Sequence, residues 1–225
     1  RVFTLYPELF PGPLGIGLYK KALENKLWSL EVVNIRDYAT DKHKTADDTP
    51  FGGGSGMLMR ADVIANSLDK KISDKNEPII YLSPKGKKFD QTYAKKVSDK
   101  NINIICGHFE GVDQRLLETR NIEEVSIGDF VLSGGEIAAL IIIDTIVRLI
   151  PGVLGNSNSL TDETFEKNLL EYPQYTKPQK WENKDVPDVL LTGDHAKIKD
   201  WRLAQSEDIT RRRRSDLWEK YKKKK

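Results

Sequence analysis

Hydrophobic and polar positions follow two different periods along the first two thirds of the chain. Short apolar runs predict β-strands, and between them apolar residues recur at helical spacing. The predicted strands are Val2–Tyr6, Glu31–Ile35, Pro78–Ser83 and Ile102–Gly107. The predicted helices are Leu14–Leu27, Ala61–Ile72 and Asp90–Ser98. Because strands alternate with helices, the pattern predicts an α/β fold with a mostly parallel sheet.

The most informative stretch is Ser126–Glu136, which continues into the apolar run Ile137–Ile150. Phe130-Val131-Leu132 predicts a short strand, Gly134-Gly135 a tight turn, and the apolar run a long helix. A glycine pair lets the backbone approach a ligand, and a helix N-terminus presents unpaired N–H groups. We expect the floor of a pocket here, with an ordinary chain turn as the alternative.

Two further loops resemble this one in position, because each follows a predicted strand. They are Ser83–Gly86 and Gly107–Gly111. Ligands of parallel sheets bind beyond the carboxyl ends of the strands, so the three loops are expected to meet at one site. The long polar and glycine-rich segment Arg36–Met59 is also expected to be functional, given its length.

The composition changes after Pro151-Gly152. Residues 155–163 are rich in Asn, Ser, Thr and Asp, which is typical of a linker, and one clear helix is predicted from His195 to about Trp218. We expect a domain at 1–154, a linker at 155–166 and a C-terminal domain at 167–225. That last part is too small for a deep core and is expected to pack on another surface, such as a partner subunit.

Charge is distributed unevenly, although the net charge is only +2. Residues 211–225 hold nine Lys and Arg against two acids, whereas the other 210 residues hold 27 basic and 32 acidic side chains. A basic terminus favours a polyanionic partner such as RNA or DNA, although a solvated helix end or a disordered tail is the commoner explanation of such runs.

Several classes of site and location are disfavoured. The sequence has no G-x-G-x-x-G, P-loop or G-x-S-x-G motif, and its three histidines lie far apart, which argues against a zinc site. Cys106 is the only cysteine, so a reducing compartment, by default the cytoplasm, is expected. Asp144 and Arg148 interrupt the longest apolar run, and the first residues suggest a strand, so neither a membrane span nor a signal peptide is expected.

Six motifs together resemble the bacterial tRNA (guanine-N1)-methyltransferases, which modify the guanine just 3′ of the anticodon. The motifs occur in the family's order and span nearly the whole chain: Phe51–Met59, Tyr81–Gly86, Gly107–Arg115, Ser126–Glu136, Ile150–Leu154 and Leu169–Pro178. The resemblance implies a knotted (SPOUT) fold in which S-adenosylmethionine lies within a deep trefoil knot. It also implies a homodimer, with the linker and C-terminal domain of one subunit completing the active site of the other.

The resemblance further implies which residues hold the cofactor. Adenine, ribose and methionine are expected to contact Tyr81, Ser83, Pro84, Gly86, Gly107, Gly111, Ile127, Gly128, Asp129, Phe130, Val131, Leu132, Gly134 and Gly135. These positions are the three loops already grouped above.

Catalytic roles are implied in the same way. The family uses an aspartate in the linker as general base, and an arginine on the helix after the knot to stabilise developing charge; Arg148 matches that arginine. A gapless register puts Glu163 at the base position, with Asp162 immediately before it, so both are candidates, and either carboxylate is also suited to a plain linker or capping role. Glu110 matches a glutamate linked to Mg²⁺ dependence.

Two positions depart from the family pattern. His108-Phe109 stands where the family commonly has Arg-Tyr, and Ser55 where it commonly has proline. A histidine can donate a hydrogen bond but is not reliably charged at neutral pH, so we expect weaker binding of the methionine carboxylate or a tRNA phosphate there.

Phosphate contacts to tRNA are expected from two basic groups, and neither DNA nor a membrane is an expected partner. The expected contacts are Lys42, His43 and Lys44 in the long loop, and Lys199, Arg202, Arg211, Arg212, Arg213 and Arg214 toward the C-terminus. Trp201 is expected to be a core residue rather than a base-stacking platform.

Two other functions remain open at this point. One keeps the cofactor site but methylates a ribose 2′-hydroxyl or another RNA atom; the linker carboxylates favour base methylation, because a ring N–H needs a general base. The other is an RNA-binding protein that has lost catalysis, for which Glu163 and His108 are the supporting departures.

Overall fold

The computed structural model describes residues 1–154, 164–165 and 167–223. The chain divides into two compact units, Arg1–Gly155 and Asn156–Lys225. We call them unit 1 and unit 2.

Unit 1 is built on a five-stranded sheet in the order β2-β1-β6-β5-β7, and every strand pair in it is parallel. Its strands are β1 (Val2–Thr4), β2 (Val32–Asn34), β5 (Ile79–Lys88), β6 (Asn103–Ile105) and β7 (Ile122–Ser126). A separate antiparallel pair is formed by β3 (Asp47–Asp48) and β4 (Leu58–Met59). The predicted α/β fold with a mostly parallel sheet is therefore confirmed.

Helices pack on the sheet, and two apolar clusters share the residues of its strands. Ile104 belongs to one cluster and its neighbour Ile105 to the other, so the strands are buried on both faces and read as continuous apolar runs. The helices of unit 1 are α1 (Gly17–Glu24), α2 (Ala61–Lys71), α3 (Gln91–Val97), α4 (Gln114–Thr119) and α5 (Glu136–Val147). Residues of α1, α3 and α5 join the first cluster, and those of α2 and α4 join the second.

The structure corrects several element boundaries. Phe130-Val131-Leu132 is not a strand: it lies in the loop between β7 and α5, and Val131 is 83% exposed. Its apolar side chains do not enter the sheet, which explains why an apolar run misled the prediction. The strand before this loop is β7. Neither β7 nor the short helix α4 was predicted from the sequence.

Two other elements differ in length from the prediction. The helix expected over Leu14–Leu27 is reduced to α1, because Gly12–Gly15 forms a 3-10 turn that contains Pro13. Strand β5 continues to Lys88, past an irregularity between Leu82 and Lys87 in its pairing with β7. Pro84 lies within this irregular part of β5.

The regular structure in the described part of unit 2 consists mainly of two helices. These are α6 (His195–Arg213) and α7 (Ser215–Lys222), with the hairpin β8 (Lys180–Trp181) and β9 (Lys184–Asp185) before them. The single helix predicted to about Trp218 is therefore wrong, because Arg214 leaves the helical conformation with φ −138° and ψ 73°. Asp194 caps α6 by accepting from two backbone N–H groups, and its pKa is lowered by these bonds and by Lys197.

Among the described residues, no helix is both long and apolar enough to span a membrane. The deep trefoil knot stays a prediction, since strand order and pairing do not by themselves establish threading.

Candidate active site

A cavity of about 300 Å³ opens at the carboxyl ends of β6 and β7 and at the irregular middle part of β5. Its walls are formed by the three segments that the sequence predicted to meet. Two of them follow β6 and β7, whereas Ser83–Gly86, predicted as a loop after a strand, lies within β5. Its lining includes residues 81–85, 107–112, 124–128 and 130–135, together with Gln114, Leu117 and Ala138.

The walls contact one another directly. Gly135 donates its backbone N–H to the Gly107 carbonyl at 2.9 Å, and His108 pairs with Gly134 in an isolated antiparallel bridge. A Cβ added at Gly135 would lie 2.7 Å from Cα of Cys106, closer than real Cβ atoms approach. The close approach that requires glycine here is between two segments of the chain, whereas the sequence had suggested an approach of backbone to ligand.

Tyr81 forms the inner end of the cavity beneath two glycines. A Cβ added at Gly107 would lie 2.8 Å from the Tyr81 ring, and one added at Gly111 would lie 3.0 Å from the Tyr81 hydroxyl. Tyr81 itself is 6% exposed. Burial, reinforced by the charge of Glu124, raises the pKa of the Tyr81 hydroxyl. The hydroxyl therefore stays protonated at neutral pH and remains able to donate a hydrogen bond.

The outer rim is apolar. Phe130, Val131 and Leu132 are exposed, and the Phe130 ring packs on Gly128. Ser126 holds the start of this loop, since its hydroxyl donates to the Gly128 carbonyl and accepts from the Gly128 N–H. This rim offers apolar area to a flat ligand while the inner walls offer backbone polar groups.

A buried carboxylate lies behind the wall that contains His108. Glu136, the first residue of α5, has Oε2 2.6 Å from His108 Nε2 and accepts from the Thr4 hydroxyl at 2.5 Å. The Tyr6 ring packs at 4.7 Å from the His108 ring. Glu136 and Thr4 were not among the site residues predicted from the sequence; the available signal was an acidic residue at the start of an otherwise apolar helix.

Of the fourteen expected cofactor contacts, twelve line the cavity. Gly86 and Asp129 do not. Gly86 instead packs against the Val125 backbone and allows β5 and β7 to come together. Lys85, Gln114 and Glu124 also line the cavity and were not anticipated.

The candidate catalytic residue Arg148 lies away from the cavity. Arg148 is the C-terminal cap of α5, whose first turn is at the cavity, so it is about 18 Å along the helix from Glu136 at 1.5 Å per residue. Glu163 and Asp162 lie outside the described residues.

Glu110 lines the cavity and is exposed, with its side chain against Gly56. Among the residues that the structure describes, no group of three or more His, Cys, Asp and Glu side chains is arranged to hold a metal ion. Any Mg²⁺ at Glu110 would therefore need water or substrate oxygens as its other ligands, which is the usual situation for this ion.

The expected phosphate-contact residues are mostly exposed, and several form ion pairs. Lys44 pairs with Asp37 at 2.7 Å, Arg211 and Arg212 both pair with Asp208, and Arg214 pairs with Asp216. The Arg214 pair lowers the pKa of Asp216 to about 2. Arg202 lies over the Tyr172 ring at 4.8 Å. Trp201 is half-buried with its ring 6.3 Å from that of Tyr175.

Comparison with known proteins identifies the family of this chain. The family model described as tRNA (Guanine-1)-methyltransferase TrmD matches residues 1–220. Three relatives are each named tRNA (guanine-N(1)-)-methyltransferase. The protein of Pelagibacter ubique is 68% identical over 99% of this chain and 98% of its own length. That of Bartonella tribocorum is 55% identical over 99% and 96%, and that of Brucella canis 53% identical over 98% and 90%. The chain therefore belongs to the tRNA (guanine-1)-methyltransferase TrmD family.

Proposed function

We propose that this protein transfers a methyl group from S-adenosylmethionine to N1 of the guanine just 3′ of the anticodon in tRNA. Membership of the family, over nearly the whole chain, is the observation that carries the proposal. The cavity supports it, because it lies at the carboxyl ends of the parallel strands β6 and β7, where ligands of such sheets bind.

The cavity suits the proposed methyl donor. Its volume of about 300 Å³ falls at the lower end of the range for small-molecule sites. Apolar side chains such as Phe130 and Leu132 can cover a flat base, while main-chain groups near Tyr81 and Gly107 can bind its polar edge. S-adenosylmethionine supplies a methyl group carried on a positively charged sulfonium.

The remaining chemistry falls to the protein. Guanine N1 carries a proton, which a carboxylate must accept as the methyl group arrives, and negative charge then develops toward O6. Glu163 or Asp162 is the proposed base, and Arg148 the proposed donor to O6. Arginine suits that role because it keeps its charge and presents several N–H groups.

Arg148 supports a homodimer with the active site at the subunit interface. It lies at the opposite end of α5 from the cavity of its own chain, farther than one arginine side chain reaches. It shares one helix face with Ile137 and Ile141, which are 52% and 45% exposed although apolar. Two α5 helices packed antiparallel through this face would bury both isoleucines and bring Arg148 of one protomer to the cavity of the other.

Mg²⁺ dependence through Glu110 and a cytoplasmic location both stay predictions. The exposed Glu110 carboxylate at the cavity is compatible with an ion that keeps most of its water ligands. Replacing Glu110 with Gln should raise the Mg²⁺ concentration needed for half-maximal transfer, while leaving methyl-donor affinity unchanged.

The direct experiment uses labelled S-adenosylmethionine, Mg²⁺ and two tRNA transcripts that differ only in guanine or adenine 3′ of the anticodon. Label should enter the guanine transcript alone, and nuclease digestion with mass spectrometry should identify 1-methylguanosine. Transfer to a ribose hydroxyl, or to neither transcript, would refute the proposal.

Substitutions at Arg148 and at the two linker carboxylates test the catalytic roles proposed for them. Arg148→Ala should lower kcat about 100-fold, as expected when a transition-state donor is removed. Arg120→Ala is the matched control, because Arg120 pairs with Asp69 on the surface of unit 1. Glu163→Gln and Asp162→Asn should be made separately. The variant that removes the base should lose turnover and keep cofactor affinity, and if neither does so, the linker assignment is wrong.

A further inference from the structure

Glu136 is a buried carboxylate at the cavity wall for which the proposed transfer step has no use. The residue is 2% exposed, and its two oxygens lie within hydrogen-bond distance of the Thr4 hydroxyl and His108 Nε2. A carboxylate this deeply buried is stable only when such partners compensate for lost water. It lies in the first turn of α5, where a helix presents backbone N–H groups that have no partner within the helix.

The Glu136 carboxylate bears on which nitrogen of His108 carries a proton, because a carboxylate group accepts hydrogen bonds. It has no hydrogen to give, so the 2.6 Å bond requires that Nε2–H donates to Glu136 Oε2. The Nδ1 atom of the neutral ring is then an acceptor. No protein partner is recorded for Nδ1 among the described residues, where every buried side-chain nitrogen and oxygen has one, so Nδ1 is accessible to solvent.

The surroundings hold the ring in this orientation. The Tyr6 ring packs against it, and the His108 backbone N–H lies 3.3 Å from the Met59 sulfur. On the other side, a Cβ at Gly134 would collide with both the His108 ring and the Glu136 carboxylate. The glycine at this position therefore leaves room for the pair. The pair thereby joins the end of β1, the loop after β6 and the start of α5.

We propose that Glu136 is a positioning residue which fixes His108 in its Nε2–H tautomer and presents Nδ1 as a hydrogen-bond acceptor in the cavity wall. The group it recognises is an O–H or N–H donor of the bound ligand. With the proposed function, on which this identification rests, the donor is a hydroxyl or ammonium group of the cofactor. The sequence had suggested that His108 donates; Glu136 reverses that role for the neutral ring.

The tautomer is measurable without any ligand. Nitrogen-15 chemical shifts of the histidine ring in the full chain should show His108 protonated at Nε2. Glu136→Gln replaces the obligate acceptor with an amide that can donate or accept, so the ring is no longer held in the Nε2–H form and can adopt the Nδ1–H form. Calorimetry with S-adenosylmethionine should then give a dissociation constant about tenfold higher, as expected for one lost hydrogen bond, with kcat at saturating cofactor unchanged.

Two other variants separate positioning from a general loss of structure. Thr4→Val removes one bond to the same carboxylate but leaves the ring its acceptor, so the tautomer should persist. Glu77→Gln replaces another largely buried glutamate, bonded to Arg1 and Asn103 away from the cavity, and should change neither tautomer nor affinity.

An Nδ1–H tautomer in the unmodified chain would overturn this inference, even if Glu136→Gln cannot be folded. Unchanged affinity of a folded Glu136→Gln variant would overturn it as well. Because the tautomer is measured without ligand, such failures differ from failure of the proposed function, which would be the absence of methyl transfer by the unmodified chain.

Discussion

The two units differ in how they are stabilised. Unit 1 has two apolar clusters on a parallel sheet, whereas Leu169 and Leu217 are the buried apolar residues among the described part of unit 2. Unit 2 instead exposes large apolar side chains, including Trp181 and Leu203, and carries ion pairs between adjacent turns of helix. Exposed ion pairs stabilise little. Unit 1 is therefore a scaffold that can hold a preformed cavity, while unit 2 is suited to gaining order from a partner surface.

The largest expected contrast is in core packing. Ile142→Ala in α5 should lower the free energy of unfolding by about 2–5 kcal/mol, because Ile142 is fully buried in the first apolar cluster of unit 1. Leu203→Ala in α6 should change it by less than about 0.5 kcal/mol, since that side chain is 45% exposed. Denaturant titrations of both variants measure this, and equal losses would remove the distinction between the units.

Glycines offer a second contrast. Gly135→Ala should cost about 1–3 kcal/mol through overpacking, and should weaken binding of S-adenosylmethionine, because the new Cβ meets the Cys106 backbone at the cavity wall. Gly193→Ala in unit 2 meets no atom within 4 Å and carries only the strain of φ +69°, about 1 kcal/mol. Calorimetry should find its affinity for S-adenosylmethionine unchanged; a comparable loss of affinity in both variants would contradict the assigned wall.

Thr210 forms a buried polar contact among the described residues of unit 2. The fully buried Thr210 hydroxyl donates to the Ser206 carbonyl and accepts from the Leu170 N–H at 2.8 Å. Thr210→Val should destabilise this contact by about 1–2 kcal/mol, and so accelerate hydrogen exchange at Leu170. In the matched control Thr119→Val, an exposed hydroxyl of unit 1 is removed, and exchange there should hardly change. Unaltered hydrogen exchange at Leu170 would show that the contact made by Thr210 does not order this segment.

The basic residues test whether unit 2 contacts nucleic acid. Arg211→Ala with Arg212→Ala should weaken tRNA binding and reduce its dependence on salt concentration by roughly one to two counterions. Their exposed pairs with Asp208 do not prevent this, because such pairs exchange readily for phosphate. Arg120→Ala in unit 1 is the control. An unchanged salt slope in the double variant would argue against phosphate contact at this end of α6.

The smallest effect concerns thiol chemistry. Burial, reinforced by Glu136, raises the pKa of Cys106 well above its usual value, so the reactive thiolate is scarce at neutral pH. Cys106 should therefore react when unit 1 opens, and its reactivity should increase as the pH rises toward the raised pKa. Leu203→Cys adds an exposed thiol in unit 2 that should be alkylated at the rate of a free cysteine. Rapid alkylation of Cys106 in the folded chain would contradict the burial of its thiol.

The sequence predicted four of the five strands in the sheet of unit 1, β1, β2, β5 and β6, because each contains a short apolar run. It missed β7, where Glu123 and Glu124 interrupt the apolar pattern. It failed where an apolar run serves the cavity, as at Phe130–Leu132, and where burial joins distant residues, as with Thr4, His108 and Glu136. Periodicity records which face of an element is apolar, but not which polar side chains meet when strands separated in the chain become neighbours. The same reason explains why Arg148 could be named from the sequence but not located relative to the cavity.

The most direct test of a composite site is subunit mixing. Gly135→Ala damages the cavity of its own protomer and Arg148→Ala removes the proposed donor, so a mixed dimer retains one site with an intact cavity and an intact arginine from its partner. Assayed at limiting cofactor after random exchange of the two variants, methyl transfer should recover to roughly a quarter of the unmodified rate, since half the dimers are mixed and each has one working site. No recovery above the separate variants would show that cavity and Arg148 act within one chain, and would contradict the account.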